Sequence, residues 1–181
     1  MNRRDVIKRT AILMGGVVSA PAIMGILKGC KAKPGVAWQP KYFTQEQAYV
    51  ITEMAEIIIP KTDTAGAKDA GVPAFIEELI FEAYNEADRT KFLTSLEDFT
   101  TTSDFINISA EEQTKVVIEA HAKAIEEKPE ERPFVMMMKE LTMLGYFSSK
   151  PGATEVLRYE AVPGYYNGCM PLEEVGRTWA T

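Results

Sequence analysis

The chain of 181 residues carries 20 Lys and Arg against 26 Asp and Glu, which gives a formal net charge of −6. This is the length of one ordinary domain, large enough to bury a core. An acidic chain is a poor partner for nucleic acid, whose binding depends on neutralising phosphates. With one His and two Cys, the chain also offers few ligands for a zinc site and few thiols for disulfide bonds.

The first 29 residues have the pattern of a bacterial export signal. Arg3 and Arg4 lead into an uncharged run from Thr10 to Leu27, which glycines and a proline interrupt, so that it makes only a marginal membrane span. Adjacent arginines before such a run resemble the twin-arginine signal, which directs folded proteins across the membrane. We therefore expect a periplasmic protein. Without the five basic residues and one acidic residue of the signal, its formal charge is −10.

Cys30 follows the apolar run in a context similar to that of a lipoprotein. Leu lies three positions before it and Gly immediately before it, although Lys28 departs from the usual small residue. The pattern predicts that Cys30 is lipidated and anchors the protein to a membrane. The alternatives are a plain signal peptide that is cleaved nearby and an uncleaved N-terminal anchor. With Cys30 lipidated, Cys169 is the one remaining thiol; we expect it to be buried and inert, or else paired with a partner chain.

Residues 30–43 contain Pro and Gly and are predicted to be a polar tether, so that the domain itself spans residues 44–181. Thr44–Gln47 has the form of a helix capping box, and the helix that follows ends at Pro60. A second capping box, Ser109–Glu112, opens a later helix. Further helices are predicted from apolar spacing after Pro73 and around residues 92–99, 134–147 and 154–159.

No segment shows the alternation of a β-strand, which predicts an all-α fold. We expect a small single-domain bundle of five or six helices with a long irregular C-terminal segment. The helix at 134–147 is apolar on two sides. One side carries Phe134, Met137, Met138, Leu141 and Leu144, and the other carries Met136, Met143 and Phe147. Such a helix is either fully buried or shared between its own core and a partner.

No motif predicts catalytic, cofactor-binding or metal-binding residues in this chain. His121 is the single histidine, and its helical spacing from Val117 favours the core or its boundary over a catalytic role. There is no Cys-x-x-Cys-His haem motif and no Gly-x-Gly-x-x-Gly phosphate turn. Acidic pairs such as Glu77–Glu78 are expected to be solvated charge.

Two long segments carry a family resemblance. They are IIIPKTDTAGAKDAGVPAFIEELI at residues 57–80 and LTMLGYFSSKPGATEVLRYEAVPGYYNGCMPL at residues 141–172. Both closely resemble the gluconate 2-dehydrogenase subunit 3 family, and the likeness runs from about Thr44 to Trp179. Members are small subunits of periplasmic or membrane-bound sugar and polyol dehydrogenases. Their large subunit is an FAD-binding flavoprotein of the glucose–methanol–choline oxidoreductase family, and a cytochrome c subunit often takes the electrons onward.

The resemblance implies a non-catalytic accessory subunit of a sugar dehydrogenase of the gluconate or glucoside type. Such a subunit escorts the flavoprotein through twin-arginine export, stabilises it and anchors it. FAD is then expected in the large subunit and haem c in a third subunit, with no cofactor in this chain. Two alternatives stay open: a stand-alone lipoprotein that binds a sugar or a partner, and a subunit that contributes a side chain to the flavin active site.

The family offers no catalytic motif to transfer, so the candidate site is a partner interface. Its candidate residues are Thr62 and Asp63 in the Thr62–Gly71 loop, Tyr146, Phe147, Arg158, Tyr159, Tyr165, Tyr166 and Cys169. An internal role is the alternative in each case. Thr62 or Asp63 would cap a helix, Arg158 would bond to the tail or remain an ordinary surface charge, and the tyrosines would pack on their own chain.

Overall fold

The structure is a computed structural model, and it describes residues 35–162, 164–165 and 167–180. The chain divides into two compact units, Met1–Lys33 and Pro34–Thr181, and every described residue belongs to the second. The described helices are α1 (Gln45–Ile58), α2 (Val72–Glu78), α3 (Glu86–Ser103), α4 (Ala110–Glu127), α5 (Phe134–Ser148) and α6 (Leu172–Val175). Two π-helical turns extend this set: Leu79–Ala83 continues α2, and Gly152–Val156 follows α5.

The prediction of an all-α fold is confirmed. The described ranges hold five helices of seven or more residues, one helix of a single turn, and no strand. Their one contact of β type is an isolated parallel bridge between Arg158 and Trp179. The bundle is therefore built by packing helices around one core, as the helical spacing of the apolar residues predicts.

Both predicted capping boxes are present. The Thr44 hydroxyl accepts the Gln47 N–H at the start of α1, and the Ser109 hydroxyl accepts the Glu112 N–H at the start of α4. The Ser109 N–H and hydroxyl both donate back to the Glu112 carboxylate. These bonds hold the pKa of Glu112 below its usual value, because they favour the charged form.

Helix α5 is central, because it packs against α1, α2, α3 and α4 and against the π-helical turn that follows it. It buries one face, which consists of Phe134, Val135, Met138, Leu141, Thr142, Gly145 and Tyr146. Leu144, which the helical spacing groups with the buried Met138 and Leu141, is exposed, and Met143 and Phe147 on the other side are exposed as well. The helix is therefore not fully buried, which leaves its outer side open to solvent or to a partner.

The segment before α1 packs against the domain, so the predicted tether at residues 30–43 is too long. Val36 and Trp38 pack against the core, and the Trp38 indole N–H donates to the Thr52 hydroxyl over 3.1 Å. The prolines and glycines of this segment predict a solvated spacer. The packing depends instead on single apolar residues, which show no period in the sequence.

Glu77, expected to be solvated, is buried with 2% of its surface exposed. Its carboxylate accepts three consecutive backbone N–H groups, those of Lys41 at 3.0 Å, Tyr42 at 2.9 Å and Phe43 at 2.7 Å. A buried carboxylate is costly unless hydrogen bonds satisfy it, and these donors do so. Its neighbour Glu78 is exposed and pairs with the Lys41 ammonium at 3.3 Å, so the two members of this acidic pair have different roles.

The C-terminal part differs from the prediction in two places. The helix predicted at residues 154–159 is the π-helical turn Gly152–Val156, after which the backbone is extended at Leu157. The segment expected to be irregular contains α6, whose four residues are too few to show a helical period in the sequence.

Replacement of Glu77 by Ala is expected to lower the free energy of unfolding by roughly 3 kcal/mol, because three backbone donors lose their acceptor. The matched control is Glu78→Ala, which removes only a surface ion pair and should leave the stability nearly unchanged. Urea denaturation of both variants provides the comparison. Equal losses would show that the Glu77 bonds do not hold the N-terminal segment to the domain.

Candidate partner interface

The titratable residues of the described ranges form no group of three or more His, Cys, Asp or Glu that could hold a metal ion. His121 is half-buried on α4, with its Nε2 atom 3.1 Å from the Lys139 ammonium of α5. Because an ammonium can only donate, the ring nitrogen is the acceptor. The histidine therefore lies at the boundary between two helices, as its spacing predicts.

The Thr62–Gly71 loop is bound tightly to the helices around it. The Glu56 carboxylate on α1 accepts the backbone N–H groups of Lys61 at 3.0 Å and Lys68 at 2.9 Å. Two ion pairs add to this, Lys61–Asp69 at 2.7 Å and Lys68–Glu53 at 2.8 Å. One carboxylate thus holds the backbone at Lys61, immediately before the loop, and at Lys68 within it.

Thr62 and Asp63 lie at the exposed start of this loop. Neither caps a helix, because α2 begins after Gly71, a glycine in the left-handed region with φ 75°. The alternative of a helix cap is therefore wrong, and both side chains face solvent on a rigid segment.

Tyr146 and Phe147 are adjacent in sequence but opposite in exposure. Tyr146 is 2% exposed, and its hydroxyl donates to the Ala65 carbonyl in the loop at 2.6 Å. Phe147 packs edge-on against the Tyr146 ring, with the centroids 5.5 Å apart, and keeps 36% of its surface exposed. Tyr146 thus links α5 to the loop and forms no surface of its own, which corrects its place among the interface candidates, whereas Phe147 lies on the surface.

Arg158 holds the C-terminal arm, by which we mean the described residues from 157 to 180. Its backbone forms the parallel bridge with the end of the arm. The Arg158 N–H donates to the Thr178 carbonyl at 2.8 Å, and the Ala180 N–H donates to the Arg158 carbonyl at 2.9 Å. The two ends of the arm are therefore joined.

The Arg158 side chain makes a second set of contacts inside the arm. Its guanidinium donates to the carbonyls of Glu174 at 2.9 Å and Val175 at 3.2 Å, at the end of α6. It also lies over the Trp179 ring, 4.2 Å from the centroid, in a cation–π contact. The internal bond to the tail, weighed as the alternative for this arginine, is present.

The arm exposes large apolar side chains. The exposed fractions are 60% for Tyr159, 80% for Val162, 82% for Tyr165 and 79% for Leu172. Cys169 is also exposed and forms no disulfide, so the expectation of a buried thiol is wrong. Tyr166 lies outside the described residues.

A cleft of about 500 Å³ opens within the arm. It is lined by Arg158, Glu160, Gly164, Tyr165, Asn167, Met170 and Trp179. Two aromatic rings and a thioether give it apolar walls, and the charged and amide groups give it a polar edge. Aromatic residues, Met and Arg are the residues that protein interfaces favour.

The remaining candidates, Arg3, Arg4 and Cys30, lie outside the described residues. None of the helices in the described part of the chain is long and apolar enough to cross a bilayer.

A match to a family model shows to which protein family this chain belongs. The model for gluconate 2-dehydrogenase subunit 3 matches residues 45–164, which is more than half of the chain. The chain belongs to the gluconate 2-dehydrogenase subunit 3 family. No curated protein and no solved structure matches it. As a subunit 3 protein it is one member of a dehydrogenase complex, which implies a large-subunit partner. Residues 165–180 of this subunit 3 chain follow the matched region.

Three side chains that hold irregular segments in place are not identifiable from the sequence: Glu56, Glu77 and Trp179. Both glutamates bond to backbone N–H groups of other segments, and no local pattern shows which carboxylate will do this. Trp179 offers one signal, since an irregular segment that carries several large apolar side chains is expected to pack on a surface.

Gly66 is a position in the loop that leaves no room for a side chain. A Cβ atom there would lie 2.7 Å from the Lys61 nitrogen and 2.8 Å from Glu56 Oε2. We expect Gly66→Ala to lower the free energy of unfolding by about 1–3 kcal/mol and to speed cleavage by trypsin at Lys61 and Lys68. The control is Gly35→Ala, whose Cβ would meet nothing within 4 Å. If Gly66→Ala and Gly35→Ala had the same midpoint of urea denaturation and the same rate of trypsin cleavage, Glu56 would not be what holds the loop.

Proposed function

We propose that this chain is the non-catalytic small subunit of a periplasmic or membrane-associated, FAD-dependent dehydrogenase that acts on sugars of the gluconate or glucoside type. It escorts the large flavoprotein subunit through twin-arginine export, stabilises it and anchors it. FAD belongs to that large subunit, which also recognises the sugar, and haem c belongs to a third subunit where one is present.

The observation that carries this proposal is the exposed apolar surface of the arm, on a chain that belongs to a subunit family. Val162, Tyr165 and Leu172 are each exposed by 79–82%. Large exposed apolar surfaces mark sites of interaction, and full burial of one such side chain contributes roughly 1.5–3 kcal/mol. A partner that covers the arm would therefore gain several favourable contacts.

The outer side of α5 offers a second apolar surface. Met143, Leu144 and Phe147 are exposed by 43%, 49% and 36%. This supports the interpretation that α5 is shared between its own core and a partner. Thr62 and Asp63, on the rigid loop, complete the candidate residues that face solvent.

The order of assembly supports export by the twin-arginine route. A flavin is inserted before a flavoprotein crosses the membrane, so the complex has to cross in its folded form, and Arg3 and Arg4 resemble the signal for that route. Lipidation of Cys30 would then keep the complex at the membrane.

Expression of the large subunit with and without this chain tests the accessory role. With the chain present, we expect a yellow complex in the periplasm that copurifies through a tag on this chain. Without it, we expect the large subunit to remain in the cytoplasm and to hold less flavin. Equal flavin content, export and activity in the two cases would contradict the proposal.

The double variant Arg3→Lys/Arg4→Lys tests the export signal. Because the twin-arginine route recognises the arginine pair, we expect both this chain and the large subunit to accumulate in the cytoplasm. The matched control is Arg9→Lys, which changes an arginine outside the pair and should leave export normal. Cell fractionation measures the distribution, and a normal periplasmic level of the double variant would refute export by this route.

A further inference from the structure

We infer that the C-terminal arm is a preformed docking element positioned by Arg158, and that it fits a surface of the large subunit where an apolar pocket is bordered by basic side chains. The inference rests on the proposed function, since it names the region through which the proposed partner binds. It adds a positioning residue and the chemistry of the partner's surface.

The arm is closed at its base, so the backbone that carries its exposed side chains is constrained before a partner arrives. Arg158 pairs through its backbone with Thr178 and Ala180, and the Arg177 guanidinium donates to the Glu155 carbonyl. The segment between these points is a loop with joined ends. Preorganisation of this kind lowers the entropy cost of binding.

The guanidinium of Arg158 fixes the inside of this loop. It donates to two carbonyl groups at the end of α6 and covers the Trp179 ring at 4.2 Å. A planar guanidinium can stack on a ring and donate in its own plane at once, which a lysine ammonium cannot do. Arg158 is thus a positioning residue, which acts on the partner through the shape of the arm.

The charges left available around the arm are negative. Glu155, Glu160, Glu173 and Glu174 are exposed, and none of them forms an ion pair within the described ranges. The two arginines of the region, Arg158 and Arg177, donate to backbone carbonyls instead. A complementary surface therefore presents lysine or arginine side chains around an apolar centre.

The same negative charges disfavour two other binding partners for the arm, a second copy of the chain and an anionic lipid surface. A second copy of the chain would bring identical carboxylates together across a two-fold axis, because such an interface uses the same patch twice. An anionic lipid surface would repel them as well. The large subunit implied by the family is the partner that can supply the opposite charge.

The apolar part of the surface is tested with the double variant Val162→Ser/Leu172→Ser. Its affinity for the purified FAD-containing large subunit, measured by surface plasmon resonance, should fall by roughly tenfold or more. The control is Ile118→Ser/Ile125→Ser, which changes two residues of α4 that are exposed by 60% and 53%. This control should bind like the wild type.

The charged part is tested with Glu173→Gln/Glu174→Gln. We expect slower association and a weaker dependence of the association rate on salt, because attraction between opposite charges steers the encounter. Glu126→Gln/Glu130→Gln removes two exposed carboxylates elsewhere in the chain and should leave the salt dependence of the wild type.

The positioning role is tested with Arg158→Ala. The variant should keep the melting temperature of the helical bundle, while trypsin cleaves faster at Arg177 and the affinity for the large subunit falls by roughly tenfold. Arg158→Lys keeps the positive charge but loses the planar guanidinium that stacks on Trp179. We therefore expect it to recover only part of the resistance to trypsin and part of the affinity for the large subunit.

The outcomes separate this inference from the proposed function. If the wild-type chain binds the large subunit and the arm variants bind equally tightly, the docking role of the arm is wrong and the proposed function stands. Faster cleavage of Arg158→Ala with unchanged affinity would overturn the positioning role alone. If the wild-type chain does not bind the large subunit, the proposed function fails and the inference fails with it. A concentration-dependent dimer that the arm variants abolish would assign the surface to a second copy.

Discussion

The carboxylate of Glu77 is the contact on which the architecture of this domain depends. It accepts the backbone N–H groups of Lys41, Tyr42 and Phe43, and so it fixes the direction in which the chain enters α1. Phe81, in the turn that continues α2, stacks on Tyr42 at 4.7 Å and meets Phe43 edge-on at 5.3 Å. One buried charge therefore orders a segment without regular secondary structure, and the aromatic packing that follows joins this segment to α2.

A second glutamate carboxylate accepts backbone N–H groups at the other end of α1. Glu56 accepts two backbone N–H groups of the following loop, and Gly66 gives this carboxylate the space it needs. Backbone N–H groups outside helices have no helical carbonyl to bond to, so they need other acceptors. The two glutamate carboxylates are these acceptors for the irregular segments on either side of α1. The bundle is small, and its loops are fixed by side chains of the helices beside them. A loop that is fixed in this way presents Thr62 and Asp63 to solvent on a backbone of defined shape.

The C-terminal arm differs from the helical bundle in how its apolar and charged side chains are exposed. One arginine pairs the two ends of the arm and stacks on Trp179, whereas the large apolar side chains of the arm are exposed. In the helical bundle most large apolar residues are covered in one core, and the exposed ones lie mainly on α4 and on the outer side of α5. In the arm large apolar side chains and carboxylates are exposed together, a composition that is typical of an interface. The proposed accessory role explains this difference, since a subunit that stabilises another has to leave part of its apolar surface uncovered.

The sequence by itself determined the all-α class, the two capping boxes, the extent of α1 and α4, and the resemblance to the family. These features depend on residues at most a few positions apart, where the period of 3.6 and the reach of a capping side chain apply. Tertiary structure alone decided the burial of Glu77, the exposure of Leu144, the internal place of Tyr146 and the contacts of Arg158. Each of these features depends on contacts between segments more than ten residues apart. The neighbouring elements against which a helix packs decide which of its faces is covered. The sequence offered the candidate interface residues, and the fold decided which of them are exposed and which are buried.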